Sequence, residues 1–387
     1  MLQFRNLLFV SIFITILFVS GAWTLLSEDH KRSVIENRTL AQMPNMNLQN
    51  LLNGKYAKDF ENYLKDQFFA REYWLHYLFK LQAGLGFSDI KGIVKGKDDY
   101  LLETLVYTDK NISNINHNVK KLEQLKRIIG SDRLYVAVAP RQTQANQDKL
   151  PLYIENNADE YTDLFFSKLS ADIKKIDLRD VIYKKNKEND LYFKTDHHWN
   201  MHGTYLAYKE ILSFIRRTHP EVPVPYEKSD YTIKLGSDEF YGSLARRSRN
   251  VFDVPPDRIE LWYPKNHENT LITVGGKKSD TYFNNKILKG TKYENKYNAY
   301  WGAGSSETVY TVPQNNELPN ILIIGDSYSL SFTSLISQHF FHTHLLYLRN
   351  ANSSINISKI IEDNKISMVL VLVNSNFVIN EKFNNFK

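Results

Sequence analysis

The sequence predicts an α/β protein built on a parallel sheet, and three short apolar segments carry this prediction. They are RLYVAVAP (residues 133–140), ILII (321–324) and MVLVLV (368–373). Continuous apolar runs of this length are typical of strands that are covered on both faces of a parallel sheet. Segments with helical spacing, residues 114–129 and 203–217, alternate with these runs. This alternation favours helices that cross between parallel strands.

The composition is that of a globular protein with one large domain or two small ones. The chain has 387 residues, of which 42% are hydrophobic and 24% charged, and its formal net charge is +6 at pH 7. The positive charge is spread along the chain, so we expect no nucleic-acid partner; an anionic membrane or wall polymer suits this charge equally well. The absence of cysteine excludes disulfides, thiolate catalysis and zinc–cysteine sites.

The N-terminal segment, residues 1–27, predicts a single membrane anchor. Residues 7–26 carry no charge, and at about 1.5 Å per residue a helix of this length spans a hydrocarbon core of ~30 Å. Because Arg5 precedes the run, the positive-inside tendency predicts a cytoplasmic N-terminus and an extracytoplasmic remainder. A cleaved signal peptide and a buried core helix are the alternatives.

The rest of the chain divides into three predicted parts. Residues 28–89 form a linker and a helical segment, because residues 55–83 place large apolar side chains at i, i+3, i+4 and i+7. The α/β domain occupies residues 90–387. Within it, residues 219–315 are rich in proline, tyrosine and asparagine and break the alternation, so we expect a β-rich, loop-rich insertion there.

Two polar motifs stand beside the predicted elements. TDHHWN contains Asp196, His197 and His198 ahead of a predicted helix, and LIIGDSYS leads from a predicted strand into Ser327. A serine between the carboxyl end of a strand and a helix N-terminus lies where α/β sheets bind ligands and where backbone N–H groups favour an anion. Taken singly, the motifs also fit a turn with an N-cap serine and a polar loop.

Taken together, the two motifs favour a serine–histidine–aspartate site. A serine is a weak nucleophile that needs a base, and a histidine oriented by an aspartate supplies one. Residue spacing alone leaves both His197 and His198 open as that base.

The two motifs resemble the DHHW proteins, relatives of the AlgX and AlgJ alginate O-acetyltransferases in the SGNH hydrolase superfamily. The blocks ENRTLAQMP, YLKDQFFARE, GKDDYLL and EFYGSLARRS extend the resemblance over nearly the whole chain after the anchor. The resemblance implies an SGNH hydrolase-like parallel sheet flanked by helices, in a circularly permuted order with Asp and His before Ser. The family's Asp-x-His-Trp pattern falls on Asp196, His198 and Trp199, and its catalytic serine falls on Ser327. The resemblance therefore selects His198 over His197 as the base.

The resemblance also implies an oxyanion hole built from the serine N–H, a glycine N–H and an asparagine side chain. Asn374 or Asn376, after the last apolar run, is the expected asparagine. No glycine follows Gly325, so the glycine donor is missing or replaced, and Arg349, Asn350 and Gly242 are the candidates.

Four further residues are candidates for contacts with the substrate. Trp199 is expected to form a wall beside the base, with sugar stacking as the alternative. Tyr328 follows the serine directly. Arg246 and Arg247 suit an anionic glycan or lipid head group, and equally a solvated basic edge.

The function that the resemblance implies is transfer of an acyl group, expected to be acetyl, to a cell-surface polysaccharide through a serine acyl-enzyme. The implied acyl donor is a multi-pass membrane O-acyltransferase, and no cofactor is expected. An esterase with the same triad and a glycan-binding scaffold are alternatives. A metal-dependent phosphoesterase using Asp196, His197, His198 and His202 is a further one, although no second cluster with ligand spacing accompanies the first.

Overall fold

The chain folds as two units in a computed structural model that describes residues 2–302, 305–351 and 354–387. The first unit comprises Met1–Ile90 and the segment Arg246–Phe252, and the second comprises Lys91–Ala245 and Asp253–Lys387. No pattern in the sequence indicates that residues 246–252 group with the N-terminal unit. One contact inside that unit is the ion pair between Arg249 Nη1 and Glu72 Oε2, at 2.6 Å.

The first unit begins with a long apolar helix. Residues Arg5–Leu26 within it have a mean hydropathy of 2.2 and are long enough to cross a membrane, as expected of a signal anchor or a signal peptide. The predicted helical segment at 55–83 is two helices, because Ala70 adopts a positive φ of 54° and breaks the helical path. The elements are α1 (Leu2–Leu26), β1 (Arg32–Ser33), β2 (Arg38–Thr39), α2 (Leu48–Leu52), α3 (Lys55–Gln67) and α4 (Arg71–Gly84).

The second unit contains the remaining elements. Its helices are α5 (Asp109–Ile129), α6 (Gln142–Ala145), α7 (Ala158–Lys168), α8 (Arg179–Asn186), α9 (Met201–Ile215), α10 (Ser243–Arg247, whose last two residues group with the first unit), α11 (Asn285–Leu288), α12 (Tyr328–Ile336), α13 (Ile357–Asp363) and α14 (Ser375–Asn380). Its strands are β3 (Ile93–Lys95), β4 (Leu101–Glu103), β5 (Leu134–Ala139), β6 (Lys174–Asp177), β7 (Tyr231–Phe240), β8 (Asp257–Pro264), β9 (Leu271–Val274), β10 (Lys277–Ser279), β11 (Glu307–Thr311), β12 (Asn320–Gly325), β13 (His342–Tyr347), β14 (Ser354–Ile355), β15 (Ile366–Asn374) and β16 (Asn385–Phe386).

The main sheet is mixed rather than wholly parallel. Its strand order is β10-β9-β11-β13-β12-β15-β5-β6. The five strands from β13 to β6 pair in parallel, whereas β11, β9 and β10 add to the β13 edge in antiparallel fashion. These three strands come from the predicted β-rich insertion, so the prediction of a purely parallel sheet was wrong at that edge.

The three apolar runs form β5, β12 and β15, which lie in the middle of the sheet. Their side chains alternate between two separate hydrophobic clusters: Tyr135 and Ala137 face one, while Val136 and Val138 face the other. Both faces of the sheet are therefore covered, which explains why the strands read as continuous apolar runs. Because β12, β15 and β5 are parallel neighbours, their carboxyl ends meet at one edge.

Candidate active site

Ser327 lies at this edge, between β12 and α12. It occupies the N-cap position of α12. A Cβ on Gly325 would lie 2.5 Å from the Cβ of Ser329 and 2.7 Å from the carbonyl oxygen of Leu372, so only glycine lets the chain pass this closely. The turn thus presents Ser327 at the start of a helix, next to the ends of neighbouring strands.

The motif with the two histidines forms a tight loop ahead of α9. An antiparallel bridge joins Tyr192 to Trp199, and the Phe193 N–H donates to the His198 carbonyl oxygen at 3.2 Å. The helix then begins at a regular cap, because the Asn200 side chain accepts from the backbone N–H groups of His202 and Gly203. The loop is therefore held at both ends.

The structure brings Asp196, His198 and Ser327 together in a chain of hydrogen bonds. His198 Nε2 lies 2.6 Å from Ser327 Oγ, and His198 Nδ1 lies 2.5 Å from Asp196 Oδ1. Asp196 Oδ2 accepts the Ser243 N–H at 2.6 Å, and Asp196 and His198 are only 1% and 5% exposed. This is the geometry in which an imidazole can take the serine proton while the carboxylate holds its tautomer.

His197 does not face the serine. Its Nδ1 lies 2.6 Å from Ser243 Oγ, and its carbonyl oxygen accepts the Tyr328 hydroxyl at 2.5 Å. Its ring packs against that of His198, with centroids 3.9 Å apart. The geometry therefore agrees with the choice of His198 as the base that the resemblance implied.

The electrostatics keep the base neutral and its orienting acid charged. Burial lowers the pKa of His198, against the opposing effect of the Asp196 carboxylate. Burial raises the pKa of Asp196, but the two imidazoles and the Ser243 N–H outweigh this, so that pKa lies well below its usual range. His198 is consequently free to accept a proton at neutral pH.

This lowered pKa predicts the pH dependence of the reaction. The kcat/KM for an activated acetyl ester should rise with pH through a pKa below about 6.5, the ordinary histidine value, and then stay level through neutral pH. The kcat/KM rises with pH because only neutral His198 accepts the serine proton. A pH–rate profile between pH 4 and 8 measures it. A kcat/KM that still rises with pH above 6.5 would contradict the conclusion that burial lowers the pKa of His198.

Two residues of the insertion support the site and were missed by sequence reasoning. The Tyr297 ring stacks on His198 at a centroid distance of 3.9 Å and an angle of 8°. Asp257 accepts the Lys194 and Thr195 N–H groups at 2.8 and 2.7 Å, and burial raises its pKa to about 6. Both lie far from the motif in sequence, so only the fold of the insertion reveals them.

Trp199 and Tyr328 pack inside the protein, which argues against the sugar-stacking alternative for Trp199 and against substrate contact by Tyr328. Each is fully buried. Trp199 Nε1 donates to Ser331 Oγ at 3.2 Å, and Tyr328 donates its hydroxyl to the backbone. Their rings pack together at a centroid distance of 4.8 Å. They hold the loop that carries His198 against α12, and they do not form a surface on which a sugar could stack.

Two of the predicted oxyanion donors, Asn374 and Gly242, form hydrogen bonds with other groups of the protein. The Asn374 side chain donates to Asp326 Oδ2 at 2.6 Å and accepts the Phe377 N–H, so its amide holds the Gly-Asp-Ser turn. The Gly242 N–H donates to Thr195 Oγ1 at 2.9 Å. The Asn374 amide and the Gly242 N–H therefore each have an acceptor within the protein.

Two other oxyanion candidates, Asn376 and Arg349, are placed differently. Asn376 uses its side-chain oxygen to accept the Tyr107 hydroxyl at 2.8 Å, which leaves its NH₂ group as a donor. Arg349 is exposed. Burial is the main cause of the lowered pKa of His198, and the positive charge of Arg349 adds to it. The same charge opposes the rise in the pKa of Asp326. Burial is the larger effect on Asp326 and raises its pKa to about 7.

Arg246 and Arg247 end helix α10 and group with the first unit. Arg246 is buried and Arg247 is exposed. Their role in substrate binding stays a prediction.

Arg141 is a charged residue of this edge that sequence reasoning missed. It follows β5 and Pro140, and its Nη2 lies 2.5 Å from Glu103 Oε2. Its charge contributes to lowering the pKa of both His197 and His198, after the larger effect of burial. A cation directly after an apolar strand was the signal available in the sequence.

The same cluster also satisfies the proximity requirement of a metal site. Ligand atoms of Asp196, His197 and His198 lie within 4.8 Å of one another. However, both nitrogens of His198, one nitrogen of His197 and both oxygens of Asp196 are already hydrogen-bonded within the protein. His202, the fourth ligand of the metal hypothesis, lies 3.4 Å from Glu260 instead. The arrangement favours a proton relay over a metal site.

A methyl group at Gly242 should damage the site. An added Cβ would lie 2.1 Å from the Cβ of Asp196, far inside van der Waals contact. We expect Gly242→Ala to lower the free energy of unfolding by about 1–3 kcal/mol and to reduce kcat by displacing the carboxylate. Thermal unfolding and ester hydrolysis measure the two effects. Gly84→Ala is the control because nothing lies within 4 Å of its added Cβ. If the two variants showed the same stability and the same kcat, the close approach of Gly242 to Asp196 would be refuted.

Part of the chain resembles a known family of acetyltransferase domains. Residues 93–262 match the family model described as an SGNH hydrolase-like domain, acetyltransferase AlgX. This match covers less than half of the chain, so it shows a resemblance of that region to the AlgX-type acetyltransferase domain.

A curated relative and two solved structures resemble this chain. A probable alginate O-acetylase AlgJ of Pseudomonas syringae pv. tomato is 25% identical over 265 residues, which span 62% of this chain and 62% of that relative. PatB1 of Bacillus cereus has a TM-score of 0.62 at 24% identity and covers 75% of this chain and 97% of its own. A DHHW family protein from Eubacterium siraeum has a TM-score of 0.61 at 18% identity, with 76% and 94% covered. The two structures show a shared fold.

Proposed function

We propose that the protein is a membrane-anchored, extracytoplasmic O-acyltransferase that acetylates a cell-surface polysaccharide. The observation that carries this proposal is the hydrogen-bonded chain from Asp196 through His198 to Ser327. The AlgX-type domain supports transfer of an acetyl group, and the similarity to a probable alginate O-acetylase supports a polysaccharide acceptor.

The reaction divides into two steps at Ser327. Its Oγ attacks the carbonyl carbon of the acyl donor while its proton passes to His198 Nε2, which then protonates the leaving group. An acyl-enzyme remains on Ser327. A sugar hydroxyl next gives its proton to His198 and attacks the ester carbonyl, and the proton returns to Ser327 Oγ. Throughout, Asp196 stabilises the imidazolium.

The proposed extracytoplasmic location and the resemblance together support a particular acyl donor. With α1 as an uncleaved anchor and the N-terminus in the cytoplasm, both units are extracytoplasmic, where acetyl-CoA is absent. The donor that fits is a multi-pass membrane O-acyltransferase, which carries acyl groups across the bilayer. The oxyanion would be stabilised by the Ser327 N–H at the start of α12, with Asn376 and Arg349 as additional donors.

The choice between sugar and water tests this proposal. We expect the full-length protein in detergent, given an activated acetyl ester, to release its acetyl group faster when an oligosaccharide acceptor is added, and to yield acetylated sugar. Mass spectrometry of the sugar measures the product. Release that is fast in water and yields no acetylated sugar would favour an esterase. Unchanged polymer acetylation in cells carrying Ser327→Ala would favour a scaffold.

A further inference from the structure

Helix α4 presents an apolar face to solvent. Tyr73, Trp74, Tyr77, Leu78 and Leu81 are each between 47% and 70% exposed. At about 100° per residue, their side chains fall within an arc of about 140°. A soluble protein places polar and charged side chains on such a face. This face therefore lacks the composition that contact with water favours.

Helix α4 also has a buried side, which lies opposite its exposed apolar face. Phe79 on the opposite side of α4 is 5% exposed, and Leu75, His76, Gln82 and Ala83 around it are partly buried. Because one side of α4 is already buried, its second apolar side requires a different partner.

The start of α4 is attached to the end of the apolar helix α1, in the same unit. The Phe69 N–H donates to Thr24 Oγ1 at 3.0 Å, and the rings of Trp23 and Phe69 lie 5.1 Å apart. Trp23 and Thr24 belong to the last turn of α1, and Phe69 precedes α4 by two residues. A bilayer that surrounds α1 therefore ends close to the first residues of α4.

We propose that the exposed face of α4 lies in the interfacial layer of the bilayer that α1 spans. Tryptophan and tyrosine are the side chains enriched at this layer, where the ring is apolar and its polar edge is hydrated. With 14 residues, α4 is shorter than the about 20 needed to cross, so it lies along the surface. Exposed Lys80 borders the apolar arc and can reach lipid phosphates.

This inference rests on the membrane anchor of the proposed function, and its test separates the two. The native chain has no cysteine, so each single-cysteine variant of the full-length protein carries one spin label. The protein is reconstituted in vesicles of phosphatidylcholine and phosphatidylglycerol. Collision of the label with oxygen, which concentrates in lipid, is compared with collision with a water-soluble nickel chelate. The variants are Tyr77→Cys on α4, Ile14→Cys on α1 and, as the aqueous control, Lys65→Cys on α3.

The expected result is that labels at 77 and 14 are protected from nickel and accessible to oxygen, while the label at 65 is accessible to nickel. Nickel access at 77 with protection at 14 would overturn the interfacial position of α4 and leave the anchor intact. Nickel access at both would refute the anchor itself. Protection of 77 from both reagents would mean that a second copy of the chain covers the face. Unchanged ester hydrolysis by Tyr77→Cys shows that the variant is folded, as expected from its exposed side chain.

Discussion

Replacing Ser327 by alanine should reduce acyl transfer and ester hydrolysis by roughly 10³- to 10⁶-fold, the range typical of triad members. Ser327 supplies the nucleophile, and within the described residues its hydroxyl is hydrogen-bonded to His198 rather than to a structural group. The fold should therefore survive, as far-UV circular dichroism and thermal unfolding would measure. Steady-state hydrolysis of an activated acetyl ester measures the loss.

Ser337→Ala is the matched control for this prediction. Ser337 follows α12 at its other end, where its hydroxyl donates to the Ser334 carbonyl oxygen at 3.4 Å. This variant should keep near-native turnover. If Ser327→Ala retained the turnover of the Ser337→Ala control, the serine would not be the nucleophile.

Replacing His198 by alanine should also cost about 10³-fold or more in kcat, whereas His197→Ala should cost less than about tenfold. The difference arises because His198 lies between Ser327 and Asp196, while His197 contacts Ser243. The two residues are adjacent and both are histidine, so each variant is the control of the other. Measuring kcat for the same ester decides between them, and the opposite order of losses would reverse the assignment of the base.

The central strands and the triad could be predicted because each has a local signal. Strands β5, β12 and β15 are buried on both faces and therefore read as apolar runs, and the two polar motifs stand beside elements whose ends meet at one edge. Spacing did not distinguish the two histidines. The resemblance made that choice, and the distance from His198 to Ser327 agrees with it.

The remaining features depend on contacts between distant parts of the chain. Tyr297 reaches His198 only because the insertion folds against the catalytic loop, and no pattern around Tyr297 signals this. Asn374 stands where the family expects an oxyanion donor, but its direction is set by Asp326, a partner that the sequence places 48 positions away. Sugar stacking was the alternative for Trp199 because aromatic residues near a catalytic base often stack on sugars; its burial was decided by packing against Tyr328.

The antiparallel edge of the sheet has a similar explanation. Strands β9, β10 and β11 are short and partly exposed, so they lack the apolar signal of the central strands. The sequence predicted that residues 219–315 are rich in β structure. It did not predict that three of these strands would extend the main sheet beside β13.

The most direct test of the central claim is to trap the acyl-enzyme. The full-length protein is mixed with an activated acetyl ester, quenched in acid, digested and analysed by mass spectrometry. We expect one acetyl group on the peptide that contains Ser327. This group should be absent from Ser327→Ala and should form much more slowly in His198→Ala. Turnover of the ester without any acetyl group on Ser327, or with the acetyl group on another residue in both variants, would contradict the central claim.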